Sequence, residues 1–392
     1  MEKLKDSLIL KLILGVIVGL IVGLYSNETV IGLINTIKFL LGQVISFVVP
    51  LIILGFIAPA ITQMKSNASK MLGTMIGLSY FSSVGAAVMS MIAGYSLIPI
   101  LNIVSAADDA KKVIPELIFK VEIPPTMSVM TALILAIFIG LAVVWTNSKN
   151  FEKVLVEFGD IMLAIVSRIV IPILPVFVAT TFATLSYEGV IIKQFPVFAK
   201  VIVIVLIGHF IWLTVLYTIG GIVNKCNPMD VLKHYGPAYL TAVGTMSSAA
   251  TLPVALKCAK QSPVLDEDIV NFGVPLGATT HLCGSVLTEV FFVMTVSKIL
   301  YGSIPSFGTM LLFVVLLGIF AVGAPGVPGG TVMASIGIII SVLGFDDTGV
   351  ALMLTVFALQ DSFGTACNVT GDGALALIVN KFAGFSLDKE NK

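Results

Sequence analysis

Charge is what this sequence has least of. Of 392 residues only 11% are Asp, Glu, Lys or Arg, and the formal net charge is zero, whereas a typical soluble domain is roughly 25% charged. The shortage excludes an ordinary soluble domain, and the balance excludes nucleic acid as a partner, which would call for a basic surface. Cysteine is scarce too. Cys226, Cys258, Cys283 and Cys367 lie in or near apolar stretches without paired spacing, which excludes a disulfide framework or a zinc site and predicts buried thiols. Arginine is almost missing: Arg168 stands alone.

Hydrocarbon fills the space that charge leaves. The chain is 57% hydrophobic with a mean hydropathy of +1.08, and several apolar runs exceed the roughly 20 residues a spanning helix needs. These features predict an all-α polytopic membrane protein, with the lipid bilayer as one partner. The start, MEKLKDSLILKLILGVIVGLIVGLY, has no small-residue cleavage site after Tyr25 and reads as a retained first span. Spans are expected near residues 7–25, 33–63, 71–102, 127–147, 154–187, 194–223, 268–297 and 348–380.

Two further apolar stretches, 230–259 and 304–344, are interrupted by VGTMSSAATLP and VGAPGVPGGT. Glycine and proline there break any helix. Lysines say how the first one runs. Lys3, Lys5, Lys11, Lys65, Lys70, Lys149 and Lys153 alternate with the early spans as the positive-inside rule requires, and place the N-terminus in the cytoplasm. Lys225 and Lys233 precede the first broken stretch while Lys257 and Lys260 close it, so a hairpin that enters and returns keeps both pairs inside. For 304–344 the flanking Lys298, Asp346 and Asp347 decide nothing, and a hinge in an ordinary span is the plain alternative for either stretch. Lys381, Lys389 and Lys392 put the C-terminus inside as well.

The reading is eight transmembrane helices and two re-entrant helical hairpins. It divides into scaffold helices 1 and 2 (1–70), helix 3 with an outer loop (71–126), helices 4 to 6 (127–225) and a transport core (226–392). Paired broken elements are the sequence pointer to a transporter's binding site. The last span, FALQDSFGTACNVTGDGALALIVN, carries Asp361, Thr365, Asn368 and Asp372 at steps of four, three and four. On a helix those steps align the side chains on one face, and ionisable groups at membrane depth mark an ion or substrate path.

MSSAATLPV (246–254), PLGATTHLCGSVL (275–287), GVPGGTVM (326–333) and DSFGTACNVTGD (361–372) resemble, in order and spacing, four signatures of the dicarboxylate/amino acid:cation symporters, which include the glutamate transporters. The resemblance implies a homotrimer in the cell (inner) membrane, in which a transport domain moves as an elevator against a fixed scaffold. It implies no cofactor beyond coupling ions. Carried over by position, the substrate set is Ser247, Ser248, Ser285, Val327, Gly329, Asp361, Gly364, Thr365 and Asn368, with Asp361 on the substrate amine. The sodium set is Gly277, Thr279, Asn368, Asp372, Ser82 and Ser83, since oxygen ligands suit a hard cation.

Three departures qualify it. The family's Asn-Met-Asp triplet is here His281, Leu282 and Cys283, so the third sodium site is expected to be absent or weakened. The arginine that reads a side-chain carboxylate is replaced by Gly364 in the last helix and Met246 in the first hairpin, which leaves room instead of charge and predicts a neutral amino acid such as serine, threonine or alanine. Glu289, in VLTEVFFVM, falls where eukaryotic glutamate carriers place a proton-bearing glutamate. A carboxyl removed from water can exchange a proton near neutral pH, and an imidazole does so unaided, so Glu289 and His281 are candidates for proton coupling alongside sodium. An acidic or dicarboxylate substrate with a rebuilt site, and an ion channel, are the alternatives. An enzyme is not expected: on a continuous helix His281 and Cys283 point apart, and no base-orienting residue is spaced for them.

Overall fold

The computed structural model describes residues 8–63, 70–101, 103, 112, 114–189 and 195–390. Lys3, Lys5, Lys65 and Lys392 of the charge argument lie outside the described residues. Every regular element among the described residues is helical. In order they are α1 (Leu8–Tyr25), α2 (Glu28–Gln63), α3 (Lys70–Leu97), α4 (Val129–Thr146), α5 (Lys149–Ile165), α6 (Ile171–Glu188), α7 (Phe195–Asn224), the single turn α8 (Met229–Leu232), α9 (Gly236–Thr245), α10 (Ser248–Lys260), α11 (Glu267–Thr280), α12 (Cys283–Tyr301), α13 (Phe307–Gly323), α14 (Gly330–Ser341) and α15 (Asp347–Glu390).

Among the described residues six stretches are long and apolar enough to cross a membrane: Glu28–Pro59, Gly73–Leu101, Lys149–Glu188, Pro196–Asn224, Glu267–Tyr301 and Asp347–Lys381. Leu10–Tyr25 and Thr131–Thr146, also expected as spans, are apolar but shorter. Two stretches differ from the expectation of continuous α-helix. The fifth passes through a π-helical turn, Val166–Val170, between α5 and α6, with Arg168 exposed on it. The seventh is two helices, because His281 and Leu282 are non-helical, at φ −111° and −120°.

Outer helices join by close backbone approach. Gly15, Gly19 and Gly23 of α1 face the carbonyls of Pro175, Ala179 and Ala183 on α6, and an added β-carbon would stand 2.6, 2.3 and 2.2 Å from those oxygens. Small residues one turn apart let two helices meet in a medium where apolar side chains gain little from each other. The segment before α4 is tied to α2, where Asn35 Nδ2 donates to the Pro115 carbonyl at 3.1 Å and Thr36 Oγ1 and Gln43 Oε1 accept the amides of Ile118 and Ile123.

Both broken stretches are helix–turn–helix pairs. In α9–α10 the break falls at Met246, in the left-handed region at φ 54°, and Ser247 caps α10 by accepting the Ala250 amide at 3.2 Å. In α13–α14 the turn runs through Pro325 and Pro328 to Gly329 at φ 72°, a conformation that glycine adopts without strain. Between these pairs lie α11–α12 and α15, which are almost wholly enclosed by protein.

Candidate substrate and cation site

Asp361, Thr365, Asn368 and Asp372 line one side of α15 and are all buried. Three of them, Asp361, Asn368 and Asp372, meet different parts of the chain. The Asp361 Oδ2 accepts the amide of Gly329 at 2.7 Å, and Thr365, one turn on, hydrogen-bonds the same carboxylate. Positive φ at Gly329 is what turns that amide toward α15. The two hairpin tips also touch each other. Ser247 Oγ donates to the Gly326 carbonyl at 2.7 Å, the Ala249 amide reaches the same oxygen at 3.3 Å, and Ser248 is buried beside them. Val327 closes the turn, donating to the Pro325 carbonyl at 2.8 Å and accepting the Gly330 amide at 2.9 Å.

Asn368 holds the start of α12. Its Oδ1 accepts the amides of Gly284 at 2.7 Å and Ser285 at 3.2 Å, while its Nδ2 donates to Ser285 Oγ at 2.9 Å. First-turn amides have no partner within their own helix, so a side chain from a neighbour can cap them. The approach is close because both helices have glycine there: a β-carbon on Gly284 would meet the Gly364 carbonyl at 2.4 Å. One expectation changes here. The space beside Gly364 is not open, since a β-carbon on it would lie 3.4 Å from the Cα, N and Oγ of Ser285. The position vacated by a guanidinium is lined by a hydroxyl-bearing helix start.

Comparison with known proteins bears on this arrangement of two hairpin tips closed over a polar helix. Residues 8–382 match the model of the sodium:dicarboxylate symporter family. The chain belongs to that family. It is 26% identical to excitatory amino acid transporter 2 of Homo sapiens over 263 residues, 65% of this chain and 45% of that protein. It is 27% identical to excitatory amino acid transporter 1 of Ambystoma tigrinum over 286 residues, 71% of this chain and 51% of that protein. The chain therefore spans about half the length of the curated relatives it matches. It is a glutamate-transporter homologue, from a family of multi-pass membrane transporters and not of enzymes.

At the far end of the stripe an imidazole meets the second carboxylate. Asp372 Oδ1 is 3.0 Å from His281 Nδ1, and the other ring nitrogen, Nε2, is 2.8 Å from Ser82 Oγ. The imidazole thus bridges two groups carried over as sodium ligands. Trp212 Nε1 donates to the same hydroxyl at 3.4 Å. Asp372 Oδ2 and Ser83 Oγ are buried without a protein partner. The Gly277 carbonyl accepts the His281 amide at 2.8 Å, and a β-carbon on Gly277 would touch Asp372 Oδ1 at 2.7 Å. Thr279 is not drawn into this group: it is exposed, and its hydroxyl turns back to the Leu276 carbonyl at 2.9 Å. Asn368 Oδ1 is already taken by two amides.

The break in the seventh stretch also corrects the expected divergence of His281 and Cys283. Both crowd Gly371 of α15, where an added β-carbon would lie 2.8 Å from His281 Cε1 and 3.3 Å from Cys283 Sγ. Glu289 stands apart from the stripe, wholly buried on α12, with Oε1 hydrogen-bonded to Ser335 on α14 and Oε2 without a protein partner. Cys258, Cys283 and Cys367 are buried and Cys226 half-buried, all as free thiols. Two polar residues have no role assigned from the sequence. His209 on α7 hydrogen-bonds the start of α12, and Lys38 on α2 is buried with Nζ 3.4 Å from Thr348 Oγ1 at the start of α15. Each is a polar group in an apolar run, which was signal enough to look for a partner.

Proposed function

We propose that the protein is a secondary active symporter for a small neutral amino acid, of the serine, threonine or alanine kind, driven by sodium and by protons. The observation that carries the specificity is the cradle at Gly364. In a chain whose only arginine is the exposed Arg168, the side-chain position is faced by Ser285 Oγ and not by a guanidinium. A hydroxyl suits a short polar or apolar side chain and gives a second carboxylate no counter-charge.

In this reading Asp361 and Thr365 receive the substrate amine, and the hairpin amides around Ser247, Ser248, Val327 and Gly329 receive its carboxylate. Asn368 and Ser285 orient what lies between. The Asp361–Gly329 and Ser247–Gly326 bonds then describe closed tips, and the Gly329 amide must leave the carboxylate for an amine to take its place. Sodium is assigned to Asp372 with the Gly277 carbonyl and Ser83, and to Thr279 once the second hairpin moves. His281 fills the room between Asp372 and Ser82, two groups that the resemblance carries over as sodium ligands, which supports a reduced sodium stoichiometry. Glu289 is the proposed proton carrier, because hairpin α13–α14 must move and its contact with Ser335 senses that motion.

The remaining assignments are an elevator motion of residues 226–392 against a homotrimeric scaffold, in the cell membrane with both termini cytoplasmic. The test is reconstituted protein in vesicles with labelled neutral amino acids and dicarboxylates, under separately imposed sodium and proton gradients. Saturable, gradient-driven uptake of serine, threonine or alanine is expected. Preference for glutamate or succinate overturns the specificity, and proton dependence unchanged in Glu289→Gln overturns the proton carrier. Flux without saturation or a fixed coupling ratio would make the protein a channel.

A further inference from the structure

His209 is a buried group that this function leaves unused. It lies on α7, which contributes no residue to the proposed substrate set, and its Nε2 is 3.1 Å from the Gly284 carbonyl and 2.9 Å from Thr288 Oγ1. A carbonyl only accepts, so Nε2 carries a hydrogen and donates. Thr288 Oγ1 donates to the same carbonyl at 3.0 Å. The peptide unit whose oxygen is bound this way is the one whose amide, on Ser285, donates to Asn368 Oδ1 at 3.2 Å. One peptide plane is therefore held at both ends, by α7 on its oxygen and by α15 on its nitrogen.

That plane controls two side chains. The amides of Gly284 and Ser285 both point at Asn368, so its oxygen must face them and its Nδ2 must face Ser285 Oγ. Tilting the plane would release Asn368 to rotate and free the Ser285 hydroxyl that lines the cradle at Gly364. Immediately before α12 the unwound Leu282 accepts the Val286 amide at 3.0 Å, whereas the Gly284 and Ser285 amides go to Asn368. The His209 carbonyl also accepts the Cys367 thiol of α15, at 3.9 Å.

We infer that His209 is a positioning residue for substrate selection, fixing the Gly284–Ser285 peptide so that Asn368 and Ser285 present one fixed arrangement to the substrate side chain. The inference rests on the proposed reading of Ser285 and Asn368 as substrate-lining. It needs the Nε2 position specifically, which a glutamine amide can reproduce and an asparagine amide, one methylene shorter, cannot.

The test is uptake by reconstituted His209→Gln, His209→Asn and His209→Leu, with Ser285→Ala as the reference for the substrate site and thermal unfolding in detergent as the check on folding. About a tenfold rise in half-saturating substrate is expected for Leu and Asn, the size of one lost buried hydrogen bond. Discrimination between serine and alanine should narrow, the maximal rate should change less, and Gln should restore both affinity and discrimination. Equal affinity in all three variants while Ser285→Ala loses it would overturn the positioning role and leave the substrate site standing. If Ser285→Ala itself changes nothing, the substrate-site reading fails and takes this inference with it. Gln behaving like Leu, with loss confined to unfolding temperature, marks a purely structural histidine and overturns it too.

Discussion

The outer and inner helices of this protein solve opposite problems. In Lys149–Glu188 only 33% of the apolar window is enclosed by the chain, against 94% in Glu267–Tyr301 and 89% in Asp347–Lys381. The outer set presents large aliphatic side chains such as Ile17, Ile21 and Ile161 outward and is joined by glycine-to-carbonyl contact. The inner set carries the carboxylates, the imidazole and the broken backbone, with Asp361 and His281 bonded to neighbouring elements and Asp372 Oδ2 and Glu289 Oε2 buried without a partner among the described residues. The difference teaches where function can reside in such a chain. Polar groups persist at membrane depth only where protein replaces lipid around them, so the enclosed helices are the ones free to hold chemistry.

Removing charge from the inner set should break the comparison most sharply. Asp361→Asn deprives the buried tip amide and the proposed substrate amine of their anion, and a loss of ~100-fold or more in uptake is expected. The measurement is initial uptake rate in vesicles, with protein insertion quantified in parallel. Damage to the outer set should read out as stability instead. Gly19→Leu drives a side chain into the Ala179 carbonyl, and destabilisation toward the upper end of about 1–3 kcal/mol is expected from overpacking, seen as a lowered unfolding temperature with unchanged substrate affinity in the surviving protein. A changed affinity with normal unfolding would erase the division of labour.

His281→Ala sharpens the inner side. It leaves Asp372 Oδ1 and Ser82 Oγ without their present partner, about 1–3 kcal/mol for an unsatisfied buried group, and opens room beside the carboxylate. Unfolding temperature should fall in sodium-free buffer and recover as sodium is added, with recovery absent if no ion can enter. The smallest effect belongs to Gly364→Ala. Its new methyl meets Ser285 at ordinary contact distance, so a selectivity shift against threonine relative to alanine of about two- to threefold is expected, below the roughly tenfold at which one methylene in a pocket begins to count. Competition between the two substrates measures it directly.

Legibility in the sequence followed the range of the interaction. The hairpin break at Gly329 was readable because proline and glycine act on their own backbone, whereas the break at Met246 falls between Gly244 and Pro253, which both lie inside helices; the four- and three-residue steps of the stripe were readable because helical period is local. The break at His281 and Leu282 was not. Neither residue opposes a helix, and what holds the chain open there is distant: Asn368 on the Gly284 and Ser285 amides and Asp372 on the imidazole. The same distance hid the crowding at Gly364, since Ser285 comes from another helix. His209 and Lys38 were visible as lone polar residues, but their partners lie 75 and 310 positions away. The glycines of α1 stand four apart in plain view, yet only the matching carbonyls of α6 give that spacing meaning.

Three glycines seated against three carbonyls at one-turn intervals act as teeth in a rack. For α1 to slip along α6 and seat again it must travel a whole four-residue step, about 6 Å at the helical rise, and every intermediate position sets a larger side chain against backbone. The pair is therefore a strut with a single length, gauged by its own backbone. A spectroscopic label at Tyr25 should keep constant distance to one near Glu188 through the transport cycle, and so serves as the ruler against which any travel of Asp361 can be read.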